Sequence, residues 1–267
     1  LLKVDVLALG MLTCIRKCLN LVGEARSNPA APALAFHAIP SEDPATYDML
    51  CRADTVGVFQ VESRAQMSML PRMKPRRFYD LVIQVAIVRP GPIIGHLTHP
   101  LIRRRTGLES VAYLDPSVDH LVVPILERTL GVILFQEQML ELAMVLAQFS
   151  GSEAEELRRS MGLVKNNGRL ERALAKLATA LRRAGRNEEV VRKVTDSAVA
   201  FAAYGFPESH ALSFALLAYA STWLKFHRPA EFVRLQVDQN VPRLLDGDGA
   251  ANVRFITPVA EQTANMV

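Results

Sequence analysis

Residues 208–226 read ESHALSFALLAYASTWLKF, and this run sets the fold class. Leu212, Leu216, Tyr219, Trp223 and Phe226 recur at steps of three and four, which places them on one stripe of a helix. Pro207 and Glu208 stand at its start, where a proline needs no partner and a carboxylate meets free N–H groups. A long helix with that stripe buried is expected. Upstream, Glu137 to Phe149 repeats the pattern, with Met139, Leu142, Ala143, Leu146 and Phe149 on one face. Between the two runs, helices are expected over Ser152 to Gly162, Gly168 to Ala184 and Glu188 to Ala203. Towards the N-terminus they are expected over Met11 to Ala25, Asp43 to Arg52, Ser63 to Met73, Phe78 to Val88 and Gly95 to Arg105. Pro44 suits a first turn, and Arg89-Pro90-Gly91-Pro92 makes a rigid stop. Three short runs, Leu2 to Leu9, Val56 to Val61 and Val132 to Phe135, fit strands. The fold class is therefore mainly α with a few short β-strands, without internal repeats. Ser27 to Pro44 has the composition of a connector. After Val233 the pattern weakens, and LLDGDGA over 244–250 fits a turn or linker.

The chain has 267 residues, half of them hydrophobic, enough for one large or two modest domains. A formal net charge of +4 is compatible with a polyanionic partner without requiring one. Its three cysteines give no disulfide framework, which points to a reducing compartment. Cys14 and Cys18 lie one helical turn apart with no matching pair at zinc spacing, so both are expected to be buried apolar residues. The apolar stretch 211–224 is interrupted by Ser213, Ser221 and Thr222 and is too short to span a bilayer, so no membrane role is expected. No signal peptide is evident. The chain opens without Met in what fits mid-strand, as a piece of a longer protein would.

Three features could carry chemistry. In a strand, Lys3 and Asp5 would share one face. A strand carboxylate can hold Mg²⁺ and a neighbouring lysine a phosphate oxygen, but spacing alone favours a plain surface ion pair. The second feature is a set of basic clusters at predicted helix edges: Arg72, Lys74, Arg76 and Arg77; Arg103, Arg104 and Arg105; and Arg158 with Arg159. Guanidinium forks held on rigid elements suit phosphate, and a solvated helix face is the plainer alternative. Glu155 and Glu156 precede the last pair and could orient it. The third is Tyr204-Gly-Phe-Pro-Glu-Ser-His210, a turn into a helix whose start is a candidate anion site. Tyr204 could stack on a base and His210 could bond a phosphate or hydroxyl, while a packed helix-entry turn explains the same residues. His96 and His99 lack a third ligand, and Asp246 and Asp248 lack downstream carboxylates, so ordinary turns are expected at both. No nucleophile–base pair and no phosphate-binding P-loop is present.

In order along the chain, KVDVLALGMLT, TYDMLCRADTVGVFQVESRAQM, VAIVRPGPI, LGVILFQEQMLELA, ELRRSMG, YGFPESHALSFALLAYASTWLK and HRPAEF cover most of residues 1–232. Together they resemble the bacterial C-family DNA polymerases, the alpha subunit of DNA polymerase III, and the GFPESHA wording is most similar to the error-prone, damage-tolerance branch. The resemblance implies the end of a palm over 1–26, a connector over 27–44, a helical fingers domain over 45–232 and an unassigned tail over 233–267. It implies DNA-directed DNA polymerase activity, by two-metal nucleotidyl transfer, for the complete subunit. Asp5 matches the third metal-binding aspartate. The other ligands of the two Mg²⁺ ions lie outside this chain, so the fragment alone should be inactive. Lys3 matches a lysine beside the incoming triphosphate, and Arg158 and Arg159 match arginines that grip its β- and γ-phosphates. Tyr204 and His210 match residues near the nascent base pair and sugar, with Arg89 near the same pocket. The clusters from Arg72 to Arg77 and from Arg103 to Arg105 would contact DNA.

The partners implied are primer-template DNA, dNTPs, the rest of the subunit, and a sliding clamp or damage-tolerance proteins, in a bacterial cytoplasm. Leu163 to Asn167 carries less charge than the family pattern, which puts phosphate gripping from that loop in doubt. Two other classes fit the bare sequence: a non-catalytic DNA- or nucleotide-binding helical domain, and a structural interaction domain.

Overall fold

Helices begin where the sequence supplies acceptors for the free N–H groups of a first turn. In the computed structural model, which describes residues 8–24, 34–88, 100–161, 167–204 and 206–235, Asp43 caps α2 (Pro44–Cys51). Its Oδ2 accepts from the Thr46 N–H at 2.9 Å and the Thr46 hydroxyl at 2.6 Å. Ser63 caps α3 (Arg64–Met73) through the Gln66 N–H. The remaining helices are α1 (Leu9–Glu24), α4 (Phe78–Ile87), α5 (Pro100–Arg105), α6 (Asp119–Leu126), α7 (Gln136–Ala147), α8 (Gly151–Met161), α9 (Asn167–Arg183), α10 (Glu188–Tyr204) and α11 (Glu208–His227).

The chain divides into two compact units: residues up to Val85 together with those from Leu212, and Ala86–Ala211 between them. In the first unit, α11 packs residues close in the N-terminal sequence. The Tyr219 hydroxyl accepts from the Asp43 N–H and donates to the Pro40 carbonyl, each at 2.8 Å. The Tyr47 and Tyr219 rings lie 5.6 Å apart. His227 Nε2 lies 2.9 Å from Asp43 Oδ2. Cys14 and Cys18 are buried in α1, as their apolar neighbours predict, and burial pushes the Cys18 thiol up to about 12. The second unit is a helical cluster around one core. Val122 and Leu126 of α6, Met139, Leu142 and Leu146 of α7, Leu157 of α8, Leu177 and Leu181 of α9, and Val190, Val194 and Phe201 of α10 fill it.

Two of the expected strands are corrected. Residues 56–61 form turns instead of a strand: Gly57 has φ 77° and Gln60 φ 65°, neither compatible with extended backbone. Val58 and Val61 are buried because the turns fold inwards. Val132 to Phe135 yields a single parallel bridge, Phe135 to Phe206, instead of a strand. Of the run expected at 2–9, residues 2–7 lie outside the described part, and Leu9 already belongs to α1. Among the described residues the fold is thus all helix, turn and coil. On α11, Tyr219 and Trp223 are buried, but Leu212, Leu216 and Phe226 are 38%, 46% and 40% exposed. The buried face instead carries Ala211, Ala215, Ala218, Thr222 and Lys225. Helix α6, with Pro124 in its interior, has no counterpart among the expected helices.

Candidate functional site

Helix α8 is opened by Ser150, whose N–H and hydroxyl both donate to Glu153 at 2.9 and 2.8 Å. One turn later Glu155 receives two parallel bonds from Arg158, Nε at 2.7 Å and Nη2 at 2.8 Å. It also accepts from Arg159 Nε at 2.9 Å. Those bonds, Arg158 first and Arg159 second, hold the Glu155 carboxyl at about 2. One carboxylate therefore sets two exposed guanidiniums side by side on a rigid turn, each with N–H groups to spare. Of the two glutamates expected to orient the pair, Glu155 does so, whereas Glu156 pairs with Lys176 of α9.

The start of α11 belongs to the same unit. Its first N–H, on Glu208, donates to Glu137 Oε2 at 2.9 Å. The anion site anticipated at this helix start is thus answered by the chain's own carboxylate. The Arg158 pKa is raised first by its bonds to Glu155 and, least, by the charge of Glu137, which is within electrostatic reach of that arginine. The Gln136 N–H donates to the Phe206 carbonyl at 3.0 Å, which ties the first turn of α7 to the turn entering α11. Phe206 meets the His210 ring edge-on, centroids 5.1 Å apart, and Glu208 reaches Arg128 at 3.6 Å. Arg158, Glu137 and the helix that carries His210 are so gathered in one neighbourhood. The Glu137→Ala variant should lower stability by about 1 kcal/mol. Faster hydrogen exchange at the Glu208 amide would report the lost acceptor, and unchanged exchange would refute the contact.

Sequence pattern alone assigns no role to Glu137 or to its neighbour Gln138. Gln138 is buried, and its amide makes four bonds. The oxygen accepts from the Leu134 and Phe135 N–H groups, and the nitrogen donates to the Ile125 carbonyl and the Thr129 hydroxyl. The signal available was a run of three polar residues, Gln136 to Gln138, opening a mainly apolar helix, a pattern that surface residues also produce.

The other basic clusters have partners of their own. Arg76 bonds Asp48, and Arg77 lies 3.6 Å from Asp80. Arg72 is exposed, and Lys74 ends α3 in left-handed geometry at φ 46°. Arg103 and Arg104 share Glu109 at 3.1 and 3.0 Å. The Arg104 side chain is only 13% exposed and donates to the Leu130 carbonyl at 2.6 Å, so it braces a turn. Arg105 is partly exposed at the end of α5. Lys3, Asp5, Arg89, His96, His99, Leu163 to Asn166, Asp246, Asp248 and the Tyr204 side chain lie outside the described residues. Among the described residues no three His, Cys, Asp or Glu side chains come together to hold a metal, and no helix is long and apolar enough to cross a membrane.

Residues 11–185 match the family model of the bacterial DNA polymerase III alpha subunit finger domain. This chain belongs to that family. Over 232 residues, 87% of the chain, it is 56% identical to the error-prone DNA polymerases of Pseudomonas paraeruginosa and Methylococcus capsulatus. It is 52% identical over 233 residues to the error-prone DNA polymerase of Dechloromonas aromatica. The chain covers 22%, 21% and 22% of their respective lengths.

Proposed function

We propose that this chain is the part of an error-prone DNA-directed DNA polymerase that grips the incoming dNTP. The observation that carries the reading is the Arg158–Arg159 pair, held together by Glu155 on α8. Guanidiniums already held by one shared carboxylate lose little freedom when they take the β- and γ-phosphates, so they favour charge developing on the leaving pyrophosphate. His210, on the first turn of α11, faces the sugar, and Tyr204, Arg89 and Lys3 complete the nucleotide's surroundings. Asp5 is assigned as one Mg²⁺ ligand, and one carboxylate does not assemble a two-metal centre, so the isolated chain is expected not to polymerise. Among the described residues no set of side chains could hold the ions.

Residues 1–26 are assigned to the end of the palm and 45–232 to the fingers. Arg72, Lys74, Arg76, Arg77, Arg103 and Arg105 are assigned to the DNA backbone, with the partly buried Arg104 supporting its two neighbours. The rest of the subunit, a sliding clamp or damage-tolerance proteins, and a bacterial cytoplasm complete the proposed setting.

Calorimetric titration of a dNTP into the chain at low salt tests the reading. Arg158→Ala/Arg159→Ala should weaken binding by about tenfold, roughly 1.4 kcal/mol. Equal affinity in wild type and variant would sink it.

A further inference from the structure

Helix α9 carries a second cationic surface that the nucleotide reading does not use. Arg169, Arg172, Lys176, Thr179 and Arg183 recur at steps of three and four along it, and all five are exposed. At 3.6 residues per turn they fall within about 80° of one another, on a line about 21 Å long. Leu170, Leu174, Leu177 and Leu181 take a different side and pack on the core, so the stripe is a rigid outer face. Arg169, Arg172 and Arg183 make no ion pair among the described residues, while Lys176 is shared by Glu153 at 3.2 Å and Glu156 at 3.4 Å. Arg182 lies off the line and is tied to Glu188. Beside the C-terminal half of the stripe opens a cleft of about 550 Å³, lined by Gln148, Phe149, Lys176, Thr179 and Arg183 among others.

We infer that this face is a binding site for a single strand of DNA, with the phosphate backbone lying along α9. Unpaired cations spaced along a line complement the charge of one phosphodiester backbone. A second parallel row, which would suit the other backbone of a duplex, is missing from the exposed face of α9. The cleft decides between the two forms. A single strand can turn a base out into a concave space beside its backbone, whereas duplex bases are stacked and paired inside. Gln148 offers amide donors and an acceptor at that mouth, with its backbone in left-handed geometry at φ 57°.

Fluorescence anisotropy with the whole chain tests the inference, using labelled oligothymidine of about 20 nucleotides and a duplex of equal length. Arg169→Gln/Arg172→Gln/Arg183→Gln should weaken oligothymidine binding by about tenfold and flatten the log–log salt slope by about 2. Arg182→Gln should leave both unchanged. The proposal is overturned if the triple variant binds the single strand like wild type, if Arg182→Gln loses as much, or if only duplex binding falls. Unchanged helical circular dichroism keeps any loss from being read as unfolding. Arg158→Ala/Arg159→Ala, measured in parallel, should keep oligothymidine affinity, so failure of the nucleotide reading and failure of this one give different patterns.

Discussion

Gly131→Ala is expected to destabilise the second unit by about 3 kcal/mol. Gly131 has φ +78°, where an L side chain costs about 1 kcal/mol. The larger part is contact: a Cβ there would run into the Ala112 carbonyl oxygen and sit 2.8 Å from Arg104 Nη1. Neither can yield cheaply. The first is backbone, and the second is held by the Leu130 carbonyl and, through the same guanidinium, by Glu109. The Gly131 N–H also donates to the Leu126 carbonyl at 2.9 Å and closes the end of α6. Gly107 and Gly185 provide the control, since both have positive φ, +77° and +75°, with nothing within 4 Å of where a Cβ would stand. Their alanine variants should lose only about 1 kcal/mol each. Urea denaturation followed by circular dichroism measures all three. An equal loss at all three positions would show that the close approach to Ala112 contributes nothing.

The helices were legible because their burial follows the 3.6-residue period. The α7 stripe from Met139 to Phe149 is buried as spacing predicts, and Asp43 and Ser63 cap the helices they precede. Period alone misled on α11, where apolar residues fall on several sides of the helix and more than one face satisfies the same spacing. There alanines make the close contact, and Leu216 is left half out. The valines at 58 and 61 misled for a related reason, because a tight turn can bury side chains as well as a strand does, and positive φ at Gln60 leaves little trace in composition. Within the candidate site, Arg158 and Arg159 stood out as a charge pair preceded by glutamates. Glu137 did not, because its partner is a backbone N–H 71 residues away, a contact that only the fold creates. The α9 cations were hidden similarly, since the sequence interleaves them with Glu171 and Arg182, which the helix turns to other sides.

Lys225→Met should cost the first unit about 2 to 3 kcal/mol, more at neutral pH than in acid. Lys225 is 8% exposed, and its three N–H donors have three acceptors: Asp54 Oδ1 at 2.7 Å and the Asp54 and Val56 carbonyls at 3.1 Å each. Methionine fills the volume but leaves those oxygens without their donors. Asp54 is 37% exposed, so water recovers part of the loss and keeps the figure below that of a fully buried pair. Glu62 gives the effect its pH dependence. Burial raises its pKa, while the Gly57 N–H and the Lys225 charge pull it back down. A carboxyl with a raised folded pKa favours the folded state below the unfolded value, about 4.3, and loses that advantage as pH rises through the folded value. Without Lys225 the Glu62 pKa rises further, so the variant's deficit grows between acid and neutral pH. Urea midpoints at about pH 4 and pH 7 should therefore diverge from wild type more at the higher pH. A deficit of the same size at both would mean that the lysine acts on the 54–62 turns by hydrogen bonding alone, with no coupling to Glu62.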